Sequence, residues 1–488
     1  MTRQSSAYTS KPYAGRKIYF LGIGGCGMCG LAEFVLAEGG EVSGSDVKES
    51  EATRRLGHLG ARVHIGHRAE HVPPGVERVV VSAAVPPDNP ELAEVRKRGL
   101  PVEKYAAFLG RLMGLRRGIA VGGTHGKSTT TAMVGFALRQ AGLDPSFVIG
   151  ADVPQLGGGS HVGAGPHLVV EACEYDRSFL HLGPEAACIL NIEEDHLDYY
   201  SGLKEIREAF AAFAARVSSD GLLVLPGADL ALPQLSRSAR AAVETFGIGG
   251  SWDWRAEHLE HDQGRFAFDV YCGRDLYGSV RLSLAGQHHV LNALAAAALC
   301  HWAGARAEVV TRALGEFRGA TRRMDVLGEA RGVTVVDDYA HHPTEISATL
   351  KAARLRFEPK RLWVVFQPHQ HSRTRFLLKD FARALVLADK IIVPDIYFVR
   401  DSENERQAVR SQDLVGEVQN QGADAVYIES FDSIRRFLTE SLAPGDLLMV
   451  MGAGDVWRLG KPLLEDLRGG LARGRRMSIP GANLKGGQ

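Results

Sequence analysis

Short apolar runs alternate with longer amphipathic stretches along most of the chain. Between residues 17 and 104, the pattern predicts strands at KIYFLGIG, EVSGSD, ARVHIG and ERVVVSAAV, and helices at GMCGLAEFVLAEG and PELAEVRKRG. Since strands that alternate with helices are joined by crossover connections, this order favours a parallel, doubly wound sheet.

Two further series of the same kind follow. The first has a helix, AAFLGRLMGLRR, strands at GIAVGG, HLVVEAC and AACILNI, a β-rich segment at 250–284 and a helix at VLNALAAAALCHWAG. The second has strands at GVTVVDDY, RLWVVFQP, DKIIVPDIY, AVYIES and DLLMVMGAG. We therefore predict an α/β protein of three domains: a Rossmann-like domain at 1–112, a P-loop ATPase-type domain at 113–323, and a Rossmann-like domain at 324–488 ending in a loose tail at 477–488.

Composition narrows the class of protein. The 488 residues include 57 Lys+Arg and 57 Asp+Glu, so the formal net charge is zero, and 45% of residues are hydrophobic. A balanced charge gives no indication of a nucleic-acid or membrane partner, and no apolar run is long enough to span a bilayer. We expect a cytoplasmic protein. Cys26 and Cys29 form a C-x-x-C pair, for which packing behind a glycine-rich turn is favoured over a redox pair or half a zinc site.

The first glycine-rich loop, GIGGCG, has the spacing Gly22-x-Gly24-x-x-Gly27 between a predicted strand and helix, and Asp46 ends the next strand. This pattern is the dinucleotide fingerprint, in which the loop lets a diphosphate approach the helix N-terminus. The loop indicates diphosphate binding but not what the diphosphate carries, so NAD and a UDP-linked substrate both remain open.

The second loop, GGTHGKST, resembles a phosphate-binding loop whose first glycine comes one residue late, at Gly122 with Val121 before it. Lys127 can neutralise phosphate oxygens and Ser128 can reach Mg²⁺. Glu171 ends one predicted strand, and Asp195, His196 and Asp198 follow another, where ligands of open α/β sheets collect. Glu171 suits Mg²⁺; His196 is a less usual ligand for so hard a cation, and a core histidine is an equal alternative.

Together, these segments resemble the Mur ligases of bacterial cell-wall synthesis. The resemblance covers roughly residues 16–470 and rests on GIGGCGMCGLAEF, GGTHGKSTTTAMV, NIEEDHLDYY, AGQHHVLNA, RRMDVLG, DDYAHHPTEI, FQPHQHSRTR and MGAGD in that order. It implies a ligase of peptidoglycan precursor synthesis that uses ATP to join L-alanine to the carboxylate of UDP-N-acetylmuramate through an acyl phosphate. The family's shortened ATP loop, G-T-[HN]-G-K-[ST], explains the late glycine, and the first loop would hold the UDP-sugar.

The resemblance also implies residue roles. Binding of ATP would involve Gly122, Gly123, Thr124, His125, Gly126, Lys127, Ser128, Thr129, His288, Asn292, Arg323 and Asp338. Binding of the UDP-sugar would involve Gly22, Gly24, Gly25, Gly27, Ser45, Asp46 and Ser82. One or two Mg²⁺ ions, or Mn²⁺, would be bound by Ser128, Glu171 and His196. L-alanine would be bound by His341, His369 and Arg373, and the catalytic residues would be Lys127, His196, His341 and Arg373. His341 is a candidate general base, with a purely structural role in its turn as the alternative.

Two positions depart from the family pattern. His289 stands where the family usually has asparagine, and Gln370 stands for an arginine beside the amino-acid site, so Arg373 or Arg375 would grip the alanine carboxylate alone. The alternatives are a recycling ligase that attaches a stem tripeptide, an NAD-dependent oxidoreductase built on the first loop, and a binding module without catalysis. We expect a monomer or weak homodimer whose domains close around the substrates.

Overall fold

The computed structural model describes residues 11–469, and the predicted tail at 477–488 lies outside them. By compactness the chain divides into two units, Met1–Thr321 with Lys351–Arg356, and Arg322–Leu350 with Phe357–Gln488. The first unit contains two sheets and the second contains one, which agrees with a three-domain α/β architecture; the domain boundaries themselves stay predictions. Among the described helices, none is both long and apolar enough to cross a membrane.

The first sheet is wholly parallel and has the strand order β3-β2-β1-β4-β5. Its elements are β1 (Lys17–Leu21), α1 (Cys26–Ala37), β2 (Glu41–Asp46), α2 (Glu51–His58), β3 (Arg62–Ile65), β4 (Arg78–Val81), α3 (Pro90–Lys97), β5 (Val102–Lys104) and α4 (Tyr105–Met113). The four predicted strands and both predicted helices of this segment are confirmed, and α2 and β5 are additions. The central strand β1 is buried from Ile18 to Leu21, as its unbroken apolar sequence requires.

The second sheet has ten strands in the order β15-β14-β13-β12-β11-β10-β6-β9-β7-β8. Its elements are β6 (Arg117–Gly122), α5 (Lys127–Gln140), β7 (Ser146–Val148), β8 (Ser160–His161), β9 (His167–Ala172), β10 (Ala186–Ile189), α6 (Leu203–Ala214), β11 (Leu222–Pro226), α7 (Leu232–Ser238), β12 (Ala242–Ile248), β13 (Trp254–Asp262), β14 (Arg265–Cys272), β15 (Asp275–Ala285), α8 (His288–Trp302) and α9 (Ala307–Glu316). The predicted β-rich segment at 250–284 is the antiparallel series β13-β14-β15. Helix α8 is buried along Ala293–Cys300, whose small side chains pack with α5 in the core of this sheet.

The third sheet, in the second unit, has the order β16-β17-β21-β18-β19-β20. Its elements are β16 (Asp325–Ala330), β17 (Val333–Asp338), α10 (Pro343–Phe357), β18 (Arg361–Phe366), α11 (His371–Phe376), α12 (Leu378–Leu385), β19 (Lys390–Val393), α13 (Glu403–Ala408), α14 (Ser411–Asn420), β20 (Ala425–Tyr427), α15 (Phe431–Ser441), β21 (Asp446–Met451) and α16 (Gly460–Gly469). The five predicted strands are confirmed, and β16 adds an antiparallel edge strand.

Candidate active site

Strand order places the candidate ATP loop, which follows β6, between the carboxyl ends of β9 and β10. Strand β6, which leads into the loop, pairs with β9 on one side and β10 on the other, all in parallel. The register sets Glu171 of β9 beside Val121, and Ile189 of β10 beside Gly122. The carboxyl ends of all three strands therefore meet at one edge, the usual place for ligands in an open parallel sheet.

The loop has little free space behind its backbone. Gly126 has φ +83°, a conformation that L side chains rarely adopt, and a Cβ there would lie 2.8 Å from Oδ1 of Asn292. Helix α5 begins directly after it, at Lys127. The structure thus brings Asn292, predicted by resemblance alone, against the predicted phosphate loop.

Asn191, which was not among the predicted site residues, holds the loop in shape. Its side-chain Oδ1 accepts the backbone N–H of His125 at 2.7 Å, and its Nδ2 donates to the carbonyl of His125 at 3.1 Å. Beside it, the Thr124 hydroxyl accepts the N–H of Glu193 at 2.9 Å. Because Asn191 follows β10 within the NIEEDH segment, its place at a strand end is the signal that could have identified it.

The ammonium group of Lys127 lies in a nearly buried cluster. Its Nζ donates to the carbonyls of Gly123 at 2.5 Å and Thr124 at 3.0 Å, and to the Glu174 carboxylate at 2.9 and 3.1 Å. Burial opposes the charged form of Lys127, yet the adjacent carboxylate outweighs it and raises the pKa of Lys127. Burial likewise opposes ionisation of Glu174, but Lys127 and His196 together hold the pKa of Glu174 below its usual value. The pair is therefore ionised.

His196 lies against the same carboxylate. Its Nε2 is 3.6 Å from Oε1 of Glu174, and its backbone has φ +54°, the left-handed region. Such a conformation in a residue other than glycine is uncommon and is often found at functional positions. The other ring nitrogen, Nδ1, is buried and has no hydrogen-bond partner among the described residues.

These observations bear on whether the predicted metal ligands suit Mg²⁺. Glu171 offers a carboxylate at the end of β9, Ser128 a hydroxyl in the first turn of α5, and His196 an unpartnered nitrogen. An oxygen donor set with a single imidazole suits a divalent cation that also contacts phosphate oxygens. The residues fit the ion, and the unpartnered Nδ1 favours ligation over a purely structural histidine. Their ligand roles stay a prediction.

Two of the predicted ATP-binding residues, His288 and Asn292, lie near the start of α8. The rings of His288 and His289 are 4.0 Å apart, and the amide nitrogen of Asn292 is 3.4 Å from Nδ1 of His289. His289, which stands where the family usually has asparagine, thus contacts Asn292 through its imidazole. Asn292 itself lies against Gly126. Thr129, also predicted for ATP, is buried in α5.

The first glycine loop is confined by its neighbours. The N–H of Gly24 donates to the Asp46 carboxylate at 2.9 Å, and a Cβ on Gly22 would lie 3.0 Å from Ser82. A Cβ on Gly27 would collide with the Tyr105 ring at 2.6 Å, while Gly25 caps α1. The structure therefore brings the predicted glycines of this loop together with Asp46 and Ser82.

Ser45, also predicted for the UDP-sugar, is oriented by a carboxylate that the sequence did not reveal. Glu91, which is fully buried, accepts hydrogen bonds from the hydroxyls of Ser45 at 2.5 Å and Tyr19 at 3.1 Å. The Ser45 hydroxyl is also 3.0 Å from Nδ1 of His67. A buried glutamate needs several such partners, and only the fold supplies them.

In the second unit, Asp338 ends β17 in a fully enclosed position. Its carboxylate accepts the backbone N–H groups of Met324 at 2.7 Å and Ala340 at 2.8 Å. Burial raises the pKa of Asp338 to about 6. The positive charge of Arg323 favours the ionised carboxylate and so opposes this rise, but its effect is the smaller of the two. The Arg323 guanidinium lies 5.2 Å from the centre of the Tyr339 ring.

The predicted amino-acid residues also come together in this unit. The His341 ring centre is 6.2 Å from that of His369, and Nη1 of Arg373 is 3.3 Å from Nδ1 of His369. Arg375, by contrast, is ion-paired with Glu405 at 3.1 Å on the surface. Of the two arginines considered for the alanine carboxylate, Arg373 is therefore the one beside the histidines.

Gln370, which stands where the family usually has arginine, is almost fully buried and has φ +70°. Its backbone carbonyl accepts both the N–H and the hydroxyl of Thr374, while its Nε2 has no partner among the described residues. The amide thus occupies interior space where the family's arginine would need a counter-charge.

Known proteins match this chain along nearly its full length. Family models match in three parts: "Mur ligase family, catalytic domain" at residues 17–117, "Mur ligase middle domain" at 121–300 and "Mur ligase, glutamate ligase domain" at 322–454. A curated relative from Caldanaerobacter subterraneus, a UDP-N-acetylmuramate–L-alanine ligase, is 41% identical, with 92% of this chain and 98% of the relative covered. A relative of the same name from a Geobacter species is 42% identical over 93% and 98%.

Solved structures agree with these matches. The UDP-N-acetylmuramate–alanine ligase of Thermotoga maritima has a TM-score of 0.76 and 29% identity, with 92% of this chain and 98% of the other covered. A murein peptide ligase from Psychrobacter arcticus has a TM-score of 0.70 and 27% identity, covering 94% and 100%. With three family models in order and relatives above 40% identity over nine-tenths of the chain, this protein belongs to the Mur ligase family.

Proposed function

We propose that this chain is an ATP-dependent ligase that joins L-alanine to the carboxylate of UDP-N-acetylmuramate during peptidoglycan precursor synthesis. The observation that carries the proposal is the arrangement at the ends of β6, β9 and β10. Lys127 begins α5, Glu171 of β9 lies beside Val121, and the Glu174 carboxylate contacts both Lys127 and His196. The curated relatives that share about 41% identity bear the name of this activity. An oxidoreductase would leave this arrangement without a role.

The chemistry follows from the need to activate a carboxylate. The lactyl carboxylate attacks the γ-phosphorus of ATP, ADP leaves, and the resulting acyl phosphate is attacked by the alanine amine. Phosphate then leaves from a tetrahedral intermediate, and an amide remains. Each step places negative charges close together, so catalysis consists mostly of alignment and charge neutralisation.

Residues of the first unit serve the phosphates in this proposal. The amides of Gly123–Gly126 and the first turn of α5 bind the phosphate oxygens, and Lys127 neutralises their charge. Bound Mg²⁺ supplies further charge neutralisation, with Ser128, Glu171 and His196 as its protein ligands. The UDP-sugar is bound by Gly22, Gly24, Gly25, Gly27, Ser45, Asp46 and Ser82.

Residues of the second unit serve the amine substrate. Arg373, next to His369, binds the alanine carboxylate, and His341 accepts a proton from the ammonium so that a free amine attacks. Arg323 and Asp338, also in the second unit, remain predicted ATP-binding residues.

The test is phosphate release from ATP with L-alanine, other amino acids and a stem tripeptide, each with and without UDP-N-acetylmuramate. We expect release with alanine that requires the sugar nucleotide. Release with the tripeptide alone would assign the protein to peptide recycling, and reduction of NAD without ATP would reject the ligase proposal.

A further inference from the structure

Glu174 is the residue around which the candidate active site is arranged, yet no motif assigns it a role. It follows β9, three positions after Glu171, and its side chain is 3% exposed. Both of its carboxylate oxygens accept hydrogen bonds from Nζ of Lys127, and Oε1 is also 3.6 Å from Nε2 of His196. A single carboxylate thus contacts the phosphate-loop lysine and the candidate metal-binding histidine.

The backbone at this position is held independently of the side chain. The Tyr200 hydroxyl donates to the carbonyl of Glu174 at 2.6 Å, and the Tyr200 side chain is itself buried. The N–H of Arg177 donates to the same carbonyl at 3.0 Å. Glu174 is therefore fixed by its surroundings, and its carboxylate can impose a position on the longer Lys127 side chain.

The contacts of Lys127 show what the carboxylate does. An ammonium group has three protons, and here they are directed to two loop carbonyls and to Glu174. Without Glu174, the flexible lysine stem would retain only neutral acceptors, and the ammonium would sample more positions. The carboxylate therefore reduces conformational freedom at the group that must meet the phosphates.

The same contact has an electrostatic cost. The negative charge of Glu174 lies within hydrogen-bond distance of the cation that attracts the polyphosphate, in an enclosed site where screening is weak. It must therefore reduce the attraction between the site and ATP, even as it places Lys127.

We propose that Glu174 is a positioning residue of the ligase reaction: its carboxylate fixes the Lys127 ammonium and the Nε2 side of His196, at the expense of ATP affinity. The same contact leaves Nδ1 of His196 free to ligate a metal, as outer-sphere carboxylates do for metal-binding histidines. This inference rests on the proposed function, but nucleotide binding tests it without turnover.

The decisive variant is Glu174→Gln, which keeps the shape and removes the charge. The dissociation constant of a non-hydrolysable ATP analogue is measured by calorimetry, in EDTA and again with Mg²⁺. We expect tighter binding in EDTA by about threefold to tenfold, since a repulsive charge is lost, and a kcat lower by at least about tenfold, since Lys127 is no longer fixed. A residue with only a structural role would lower affinity and kcat together.

Two further variants complete the experiment. Glu174→Asp keeps the charge, so analogue affinity should stay near wild type while kcat falls less than in Glu174→Gln. Glu185→Gln is the matched control: it removes an exposed partner of Arg117, at 2.9 Å, and should change neither quantity.

The outcomes are distinct. Tighter analogue binding with lower kcat in Glu174→Gln supports the inference, whereas weaker binding, or no change in either quantity, overturns it. If the wild type shows no alanine-dependent phosphate release, the proposed function fails, and the affinities in EDTA still decide whether Glu174 opposes nucleotide binding.

Discussion

Asp338 offers a prediction whose size follows from the structure. Its carboxyl group is enclosed at the end of β17, and burial raises its pKa from 3.8 to about 6. The folded protein therefore binds this proton more tightly than the unfolded chain does. Stability from this group is present at low pH and is lost as the pH rises from about 4 to about 6, after which the loss is complete.

The pKa difference of about 2.2 units, at 1.36 kcal/mol for each unit, gives the loss in the free energy of unfolding as about 3 kcal/mol. About 2 kcal/mol of this falls between about pH 4.5 and about pH 7. Asp338→Asn removes the titration. It also costs a pH-independent amount, about 1–3 kcal/mol, because an amide can no longer accept both backbone N–H groups.

The assay is hydrogen–deuterium exchange of peptides covering β17. At each pH, the exchange rate of these peptides in Asp338→Asn is divided by their exchange rate in the wild type. Intrinsic exchange cancels in the ratio, so the pH dependence of the ratio reports Asp338 alone. We expect the variant to become relatively better protected by roughly 30-fold between about pH 4.5 and about pH 7. Peptides from β2, in the other unit, are the internal control. A ratio that stays flat across this range would refute the reasoning.

Two substitutions test the proposed roles directly. Lys127→Ala should lower kcat by roughly 10³-fold, because the γ-phosphate loses the ammonium group that neutralises its charge. Circular dichroism and thermal unfolding should show an intact fold, and substantial remaining phosphate release would contradict the role of Lys127. Arg373→Ala should raise the KM for L-alanine by about tenfold or more and leave the KM for ATP nearly unchanged; an effect on ATP alone would mean that Arg373 does not bind the amino acid. Lys379→Ala, at a position on α12 outside the proposed site, serves as the control for both.

Local sequence predicted much of the molecule because several signals are local. Unbroken apolar runs identified the buried parallel strands, and glycines before helical stretches identified both loops. Edge strands lack such a signal: β16 carries no strong apolar alternation, with sequence DVLGEA, and its strand conformation comes from antiparallel pairing with β17.

The sequence by itself determined the succession of the buried parallel strands, the two glycine loops, and, through motifs in series, the family. Only the tertiary structure decided which polar residues meet. Glu174 and Glu91 carry no local signal that assigns them a role, and each acquires its role from a partner far along the chain, Lys127 for Glu174 and Tyr19 for Glu91. The physical reason is that strand runs and glycine turns depend on neighbouring residues, whereas a buried carboxylate is stable only where the fold brings distant donors to it.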